Sequence, residues 1–265
     1  MAGRVAGKVA FITGAARSQG RSHAIRLAEE GADIIAVDIA APVESVTAYP
    51  GATEKDLAET VRQVEALDRR IVAHKADVRN PQALKAAVDD GVAQLGKLDI
   101  AIANAGIYQT HPALELDDAG WQETIDINLT GVWNTVKVAL PHLVANKGGS
   151  VILTSSVAGL KGLANSVHYN AAKHGVVGLA KGFARLLGPH GVRVNVVHPT
   201  AVDTYMINNP HSPMTQASDA QALARVLPVD RLQPVDVSRA ILWLVSDAAF
   251  AVTGQALALD AGVSL

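Results

Sequence analysis

The sequence contains no cysteine, few aromatic residues and no long hydrophobic run. Without cysteine, neither disulfide bonds nor thiol chemistry is available to this chain. No apolar stretch reaches the roughly 20 residues that a membrane helix needs. The short apolar run after Lys8 breaks at Gly14 and then meets Arg17, which is not the pattern of a signal peptide. These absences predict a cytoplasmic protein that has no membrane segment.

The sequence also has no large excess of positive or negative charge. The formal net charge is -2 at pH 7 and no basic tract occurs, so nucleic acid is not expected as a partner. The histidines show no paired spacing with a carboxylate, so no metal site is predicted. Those considered were His111, His168, His190, His198 and His211.

Short β-branched runs alternate with longer amphipathic segments along the 265 residues. The predicted strands are Val9 to Thr13, Asp33 to Asp38, Ile71 to Lys75, Leu98 to Ala103, Val151 to Ser155, Arg193 to His198 and Ala256 to Leu259. The predicted helices are Arg21 to Glu30, Glu54 to Asp68, Pro81 to Leu95, Asp117 to Val144, His168 to Leu187 and Pro234 to Ser246. This alternation predicts a single α/β domain over residues 1–265, a doubly wound Rossmann fold whose parallel sheet of about seven strands has helices on both faces.

Two segments interrupt the alternation. Residues 39–53, with Pro42 and Pro50, lengthen the connection between the second and third strands. Residues 201–227, with Pro210 and Pro213, are predicted to form a long loop that holds a short helix. Long loops in compact domains are often lids or binding segments. A solvent-exposed surface loop without such a role would show the same sequence pattern. We treat residues 39–53 as an insertion near a cofactor and residues 201–227 as a substrate loop.

The first strand is joined to the first helix by a turn of small and polar residues. Small residues let the backbone approach a pyrophosphate, and the helix N-terminus offers it unpaired N–H groups. The predicted contacts are Gly14, Arg17, Ser18, Gln19 and Gly20.

Asp38 ends the second strand, 24 positions after Gly14. A carboxylate there accepts hydrogen bonds from the hydroxyls of an adenosine ribose and repels a 2′-phosphate, which favours NAD over NADP. Arg17 argues the other way, since a guanidinium binds phosphate well. We weight Asp38 more heavily because its charge excludes the phosphate directly.

Polar and small residues also follow the third and fourth strands. Asp77 and Val78 are placed to meet an adenine, although Asp77 is also a candidate helix cap ahead of Pro81. Asn104, Ala105 and Gly106 leave room beside a dinucleotide.

Tyr169 and Lys173 lie four positions apart on a predicted helix, and Ser156 precedes Tyr169 by 13 positions. Residues four apart share one helix face. A fixed ammonium favours the phenolate and brings the pKa of the tyrosine down from its usual value near ~10. The three side chains together are suited to take a proton from an alcohol.

These residues, in this order, resemble the short-chain dehydrogenase/reductase family over essentially the whole chain. The pattern comprises Thr13-Gly14…Gly20, Asp38, Asp77, Asn104-Ala105-Gly106, Asn128, Ser156, Tyr169, Lys173 and Pro199…Thr204. The resemblance implies that Tyr169 is the general acid/base, that Ser156 orients the reacting oxygen, and that Lys173 binds the nicotinamide ribose. It further implies a water held by Asn128, a nicotinamide contact for Thr204 beside Pro199, and a homotetramer.

The sequence departs from the family pattern at two positions. Ser18 replaces the middle glycine of the nucleotide turn, where its hydroxyl could hydrogen-bond a phosphate and its side chain could crowd it, which affects cofactor affinity or pose and not the fold. Thr200 replaces the glycine that usually follows Pro199, so we expect a more restricted backbone near the nicotinamide.

A narrower resemblance is to the mycofactocin-associated, carveol-dehydrogenase-like branch. It rests on Gln19 to His23, Ile34 to Asp38 and the insertion that ends at Asp56 to Val61. The branch implies an insertion that covers NAD, so that electrons leave through mycofactocin or another carrier while NAD stays bound.

The substrate site is expected at the carboxyl ends of the strands. Its predicted lining is apolar and comprises Ile107, Tyr108, Val157, Leu160, Leu163 and residues of the segment from Tyr205 to Leu223. A small hydrophobic secondary alcohol or ketone fits such a lining. The alternatives are an ordinary NADH- or NADPH-dependent reductase, a dinucleotide sensor without chemistry, and a dehydratase or epimerase, for which the chain after the last strand is short.

Overall fold

The computed structural model describes residues 3–209 and 223–265. The strands are β1 (Val9–Thr13), β2 (Asp33–Asp38), β3 (Ile71–Lys75), β4 (Ile100–Ala103), β5 (Gly149–Thr154), β6 (Val192–Pro199) and β7 (Ala256–Leu259). The α-helices are α1 (Ser18–Glu29), α2 (Glu54–Glu65), α3 (Pro81–Leu95), α4 (Asp118–Ile125), α5 (Gly131–Ala145), α6 (Val167–Leu187) and α7 (Pro234–Val245).

The seven strands form one parallel sheet in the order β3-β2-β1-β4-β5-β6-β7. The order reverses between β1 and β4, so the loops that follow these two strands diverge and leave a crevice at the carboxyl edge. The predicted doubly wound fold is therefore confirmed.

Both faces of the sheet are buried, as its apolar strands predict. Phe11 and Ile35 contribute to the core on one face, and their neighbours Ile12 and Ile34 contribute to the core on the other. Alternate residues of a strand point to opposite faces, so each strand supplies both cores. Helices on the two faces cover these cores and fix the sheet that carries the site.

The predicted helix from Asp117 to Val144 is wrong as a single α-helix. The structure has α4, then a π-helical turn at Asp126–Thr130, then α5. A π-turn adds a residue to the helix and changes which side chains face inward. Gly131 follows it where an added Cβ would lie 2.6 Å from a methyl of Val78, so the chain packs closely on the loop after β3.

Smaller boundary differences have local causes. β4 begins at Ile100, not Leu98, and the Asp99 carboxylate accepts a hydrogen bond from the Val9 N–H at 2.8 Å. Residues 39–53 contain no helix or strand, and α2 begins after Thr53, which forms a capping box with Asp56. Of the predicted loop over residues 201–227, the described parts 201–209 and 223–227 contain no helix, and residues 210–222 lie outside the described residues.

Candidate active site

Two adjoining clefts lie at the carboxyl edge of the sheet. The glycine-turn cleft is bordered by the turn after β1, the end of β2 and residues 39–53. The tyrosine cleft contains Asn128, Ser156, Tyr169 and Lys173. Gln19, Asn104, Gly106 and Thr204 line both, so the clefts are continuous.

The turn after β1 requires glycine at position 14, both for its backbone conformation and for its close packing on the segment after β4. Gly14 has φ +70°, and an added Cβ there would lie 2.9 Å from Ala105 Cα. Ser18 also has a positive φ, +51°, which costs a non-glycine residue about 1 kcal/mol. Ser18 therefore keeps a left-handed conformation at the position where the family pattern has glycine.

Asp38 is nearly buried at the end of β2 and lines the glycine-turn cleft. Its two carboxylate oxygens accept hydrogen bonds from the Ala16 and Ala40 N–H groups, each at 2.9 Å. Burial raises the pKa of Asp38, and these two N–H groups oppose that shift. The carboxylate is thereby oriented at the point where the sequence predicts a ribose.

The Arg17 guanidinium already makes several contacts within the protein. Its guanidinium donates hydrogen bonds to the carbonyls of Pro50 and Gly51 and lies 4.5 Å from the centroid of the Tyr205 ring. Arg17 therefore joins the glycine turn to residues 39–53 and to the segment after β6. A 2′-phosphate would have to compete with these contacts.

Asp77 and Val78 line the glycine-turn cleft, as predicted from their position after β3. Asn80, not Asp77, caps α3, since its side chain accepts the Ala83 N–H at 3.0 Å. Asp77 instead pairs with Arg79, which also contacts Glu123. The helix-cap alternative for Asp77 is therefore wrong.

Asn104, Ala105 and Gly106 follow β4 and lie against the turn after β1. Asn104 Nδ2 donates to the Thr13 carbonyl at 3.1 Å, which fixes the segment against the glycine turn. A Cβ at Gly106 would lie 2.6 Å from Asn128 Oδ1 and 3.6 Å from Lys173 Nζ. The buried Asn128 side chain therefore leaves no room for a Cβ at Gly106.

Asn128 lies in the π-helical turn and is fully buried. Its side-chain amide accepts the Ile107 N–H at 3.1 Å and donates to the Ile107 carbonyl at 3.0 Å. Asn128 therefore fixes the loop after β4 beside Lys173. The water that the family resemblance assigns to Asn128 stays a prediction.

Ser156, Tyr169 and Lys173 meet in the tyrosine cleft. The Ser156 and Tyr169 side chains share a hydrogen bond, and Lys173 Nζ lies 5.4 Å from the centroid of the Tyr169 ring. Lys173 also donates to the Thr154 carbonyl at 2.9 Å. The strand β5 and the helix α6 thus bring together the three side chains that the sequence singles out.

Burial dominates the electrostatics of this group. It raises the pKa of Tyr169, against the hydrogen bond from Ser156, and it lowers the pKa of Lys173 to about 8. The expected reduction of the tyrosine pKa by the ammonium does not prevail, because both groups lie in a desolvated site. Residues 3–209 and 223–265 contain no group of three His, Asp or Glu side chains that could hold a metal ion.

The predicted substrate residues are found in three places. Tyr108, Val157 and Leu163 line the tyrosine cleft with Met206, Ile207 and Leu223. Ile107 lines the glycine-turn cleft, and Leu160 is 39% exposed and lines neither of the two clefts. Leu160 is thus wrong as a lining residue, while residues 210–222 of the predicted segment lie outside the described parts. Pro199 and Thr200 border the tyrosine cleft.

Tyr49 is a residue of the site that the sequence does not predict. Tyr49 lines the glycine-turn cleft, and its phenol oxygen accepts the Tyr108 N–H at 3.1 Å. Tyr49 lies in an irregular segment, so no spacing or periodicity places it. The one sequence feature that could have indicated Tyr49 is its aromatic side chain, in a chain with four tyrosines.

The clefts fit a bound dinucleotide. Gly14 and Gly106 line the clefts with backbone and no side chain, and the Asp38 carboxylate borders the same space. Gln19 Oε1 and Thr200 Oγ1 line the clefts as buried oxygens without a hydrogen-bond partner in the described structure. Buried polar atoms normally have partners, so a ligand with polar groups accounts for them.

Comparison with known proteins places this site in a family. A family model described as enoyl-(acyl carrier protein) reductase matches residues 14–264. The (-)-trans-carveol dehydrogenase of Rhodococcus erythropolis is 50% identical over 99% of both chains. The structure resembles that of carveol dehydrogenase from Mycobacterium avium in complex with NAD, at 52% identity and a TM-score of 0.93, over 98% of this chain and 99% of that one.

A second crystal structure agrees with this placement. It is a short chain dehydrogenase from Mycobacterium paratuberculosis bound to NAD, 45% identical, with a TM-score of 0.95 over 99% of both chains. The matches extend over the sheet and both clefts. The chain therefore belongs to the short-chain dehydrogenase/reductase family, in its carveol-dehydrogenase-like branch.

Proposed function

We propose that the protein is an NAD-dependent oxidoreductase that interconverts a hydrophobic secondary alcohol and its ketone. The proposal rests on one observation: the side chains of Ser156, Tyr169 and Lys173 lie close together where the two clefts join. One cleft has an oriented carboxylate at its ribose end, and the other has an apolar wall. The carveol dehydrogenase from Mycobacterium avium and the short chain dehydrogenase from Mycobacterium paratuberculosis were both crystallised with NAD.

The chain's own residues supply proton transfer and orientation. Ser156 holds the alcohol oxygen beside the Tyr169 phenol, and the ionised phenol removes the hydroxyl proton. In the ketone direction, the neutral phenol returns that proton. Lys173 supplies a nearby positive charge that favours the phenolate, against the burial that raises the pKa of Tyr169. When bound, NAD supplies the hydride acceptor, and the protein contributes position and electrostatics.

The substrate class follows from the lining of the tyrosine cleft. Val157, Leu163 and Leu223 are nearly buried there and form a cluster with Tyr108 and Tyr169. Such a wall favours an apolar ring or chain, with polar recognition confined to the reacting oxygen. A carveol-like monocyclic terpenoid alcohol fits this pattern, and carveol is the substrate named for the Rhodococcus relative.

NAD is proposed to remain bound between turnovers. Residues 39–53 lie along the glycine-turn cleft and are fastened by Arg17 and by a hydrogen bond from Gln109 to Ser45. Glu123 accepts the Ser45 N–H as well, at 3.3 Å. A cover fastened at several points slows cofactor exchange. Electrons would then leave through mycofactocin or another carrier.

The assembly is proposed to be a cytoplasmic homotetramer. Trp121 on α4, Trp133 on α5 and Leu186 on α6 are each at least 40% exposed. Exposed tryptophans such as Trp121 and Trp133 often lie in subunit contacts. No helix in the described ranges is long and apolar enough to cross a membrane.

The test begins with the nucleotide that the purified protein carries. We expect denaturation to release close to one NAD(H) per chain, and the intact protein to oxidise carveol with an artificial electron acceptor. Tyr169→Phe should retain the NAD(H) and lose turnover by at least about a thousandfold, since it removes the acid/base group. Near-normal turnover in that variant contradicts the mechanism.

The second candidate function is an ordinary reductase with exchangeable cofactor. It is favoured if the protein is purified without nucleotide and reduces ketones with added NADH. Released NADP(H) would contradict the assignment based on Asp38. Complete absence of turnover with bound NAD(H) would favour a dinucleotide sensor.

A further inference from the structure

Tyr49 links residues 39–53 to the loop after β4. Its ring is partly buried against the glycine-turn cleft, and its phenol oxygen accepts the Tyr108 N–H at 3.1 Å. A backbone N–H in such a place needs an acceptor. The hydroxyl of Tyr49 therefore helps to fix the main chain of Tyr108.

Tyr108 in turn contacts the catalytic tyrosine. Its ring meets that of Tyr169 edge to face, with centroids 4.8 Å apart and planes at 87°. Its phenol oxygen lies 2.8 Å from Ser166 Oγ, and the residue is only 6% exposed. Tyr108 is thus held at its backbone by Tyr49 and at its hydroxyl by Ser166, with the edge-to-face contact between them. This geometry is a preferred one for aromatic pairs.

From this chain of contacts we infer that Tyr49 is a positioning residue for Tyr169 and acts through Tyr108. The inference rests on the proposed function, in which Tyr169 is the acid/base. A residue of the segment 39–53, which is proposed to cover NAD, thereby contributes to the reaction rate. If the Tyr49 hydroxyl is removed, the Tyr108 N–H loses this acceptor, the Tyr108 ring moves, and the phenol of Tyr169 leaves its productive position.

A role confined to the cover has different consequences. Residues 39–53 are also held by Ser45, which accepts a hydrogen bond from Gln109, and by Arg17, which donates to the carbonyls of Pro50 and Gly51. If Tyr49 served only to close the cover, its loss would lower the NAD content and leave the rate per bound NAD unchanged. If it positions Tyr169, the rate per bound NAD falls while the NAD content is retained.

The experiment compares Tyr49→Phe with Thr47→Ala, a hydroxyl deletion at an exposed position of the same segment. Each variant is assayed for alcohol oxidation, with rates divided by the measured NAD content. We expect Tyr49→Phe to lower kcat about tenfold, since small misplacements of reacting groups have effects of this order or larger. KM should change less than kcat, because Val157, Leu163 and Leu223 keep their places in the apolar wall. Thr47→Ala should behave as the wild-type protein.

A spectroscopic measurement tests the contact without turnover. The chain has four tyrosines, so protein labelled with 3-fluorotyrosine gives four ¹⁹F signals, and Tyr169→Phe identifies one of them. In Tyr49→Phe the Tyr169 signal should shift, because the ring current of Tyr108 acts on it from a new position. In Thr47→Ala it should not shift. An unmoved Tyr169 signal or an unchanged kcat per bound NAD in Tyr49→Phe overturns the inference. If the wild-type protein has no turnover, the proposed function fails, and the ¹⁹F shift alone decides whether Tyr49 positions Tyr169.

Discussion

At the scale of single residues, the clearest prediction concerns the charge of Asp38. Its carboxylate accepts two backbone hydrogen bonds, so Asp38→Asn places an amide N–H against one of these donors. We expect the Kd for NAD to rise about tenfold or more, as for loss of a charged hydrogen-bond acceptor. The exclusion of NADP should weaken at the same time.

The measurement is calorimetric titration of nucleotide-stripped protein with NAD and NADP. Glu44→Gln removes an exposed charge from residues 39–53 and is the control. An unchanged ratio of the two dissociation constants in Asp38→Asn would show that another residue selects the cofactor.

The residues of the site differ in how far the sequence reveals them. Tyr169 and Lys173 are predictable because a helix fixes their relation, and Ser156 follows a recognisable strand. Tyr49 and Tyr108 meet through a loop-to-loop hydrogen bond across 59 positions. No local pattern encodes that contact, since it depends on how two irregular segments pack.

At the scale of elements, the π-helical turn at Asp126–Thr130 shows the limit of periodicity. The apolar pattern of the sequence predicts one continuous helix there, and the structure interrupts it with an extra residue. That residue is accommodated where Asn128 must reach the backbone of Ile107. The position of Asn128 is predictable from the family pattern, but the distortion that orients it arises from tertiary contacts.

Arg17 provides a prediction about the segment of residues 39–53 as a unit. In Arg17→Met the contacts with Pro50, Gly51 and the Tyr205 ring are lost, while most of the apolar stem remains. Partly exposed charged contacts contribute modestly, so we expect a loss of about 1–2 kcal/mol, or roughly a tenfold faster release of NAD. The released nucleotide is measured after timed dialysis.

Arg62→Met is the matched control for Arg17→Met. Arg62 is on α2, its side chain is 68% exposed, and its ion pair is with Glu59 of the same helix. Equal NAD release from both variants would show that Arg17 does not fasten the cover.

At the scale of the whole molecule, the sheet was predictable because it follows from general rules. Apolar strands that alternate with amphipathic helices have few ways to bury both faces of a parallel sheet. The clefts were predictable only in part. Their floors are strand ends, which periodicity locates, whereas their walls are residues 39–53 and the segment after β6, whose shapes depend on particular side-chain contacts such as that of Arg17 with Tyr205.

Buried histidines make the stability of the whole molecule depend on pH. His23 of α1 is 1% exposed, and its Nδ1 lies 2.7 Å from Ser238 Oγ of α7. Burial lowers its pKa from 6.5 to about 3, and burial lowers that of His168 to about 4. Between these values and pH 6.5 the unfolded chain binds more protons than the folded one. The free energy of unfolding therefore falls as the pH is lowered below about 6.5.

His23→Asn removes one of these two buried titratable groups and keeps a side chain that can hydrogen-bond Ser238. The window from pH 6.5 to 5 lies above the range in which most carboxylates titrate. There we expect the pH dependence of the free energy of unfolding to become shallower by up to about 1.4 kcal/mol per pH unit, the contribution of one proton. Urea unfolding at several pH values measures this slope. A slope that is unchanged in His23→Asn would mean that His23 is already protonated in the folded protein, and that the polar contacts between α1 and α7 stabilise its charge.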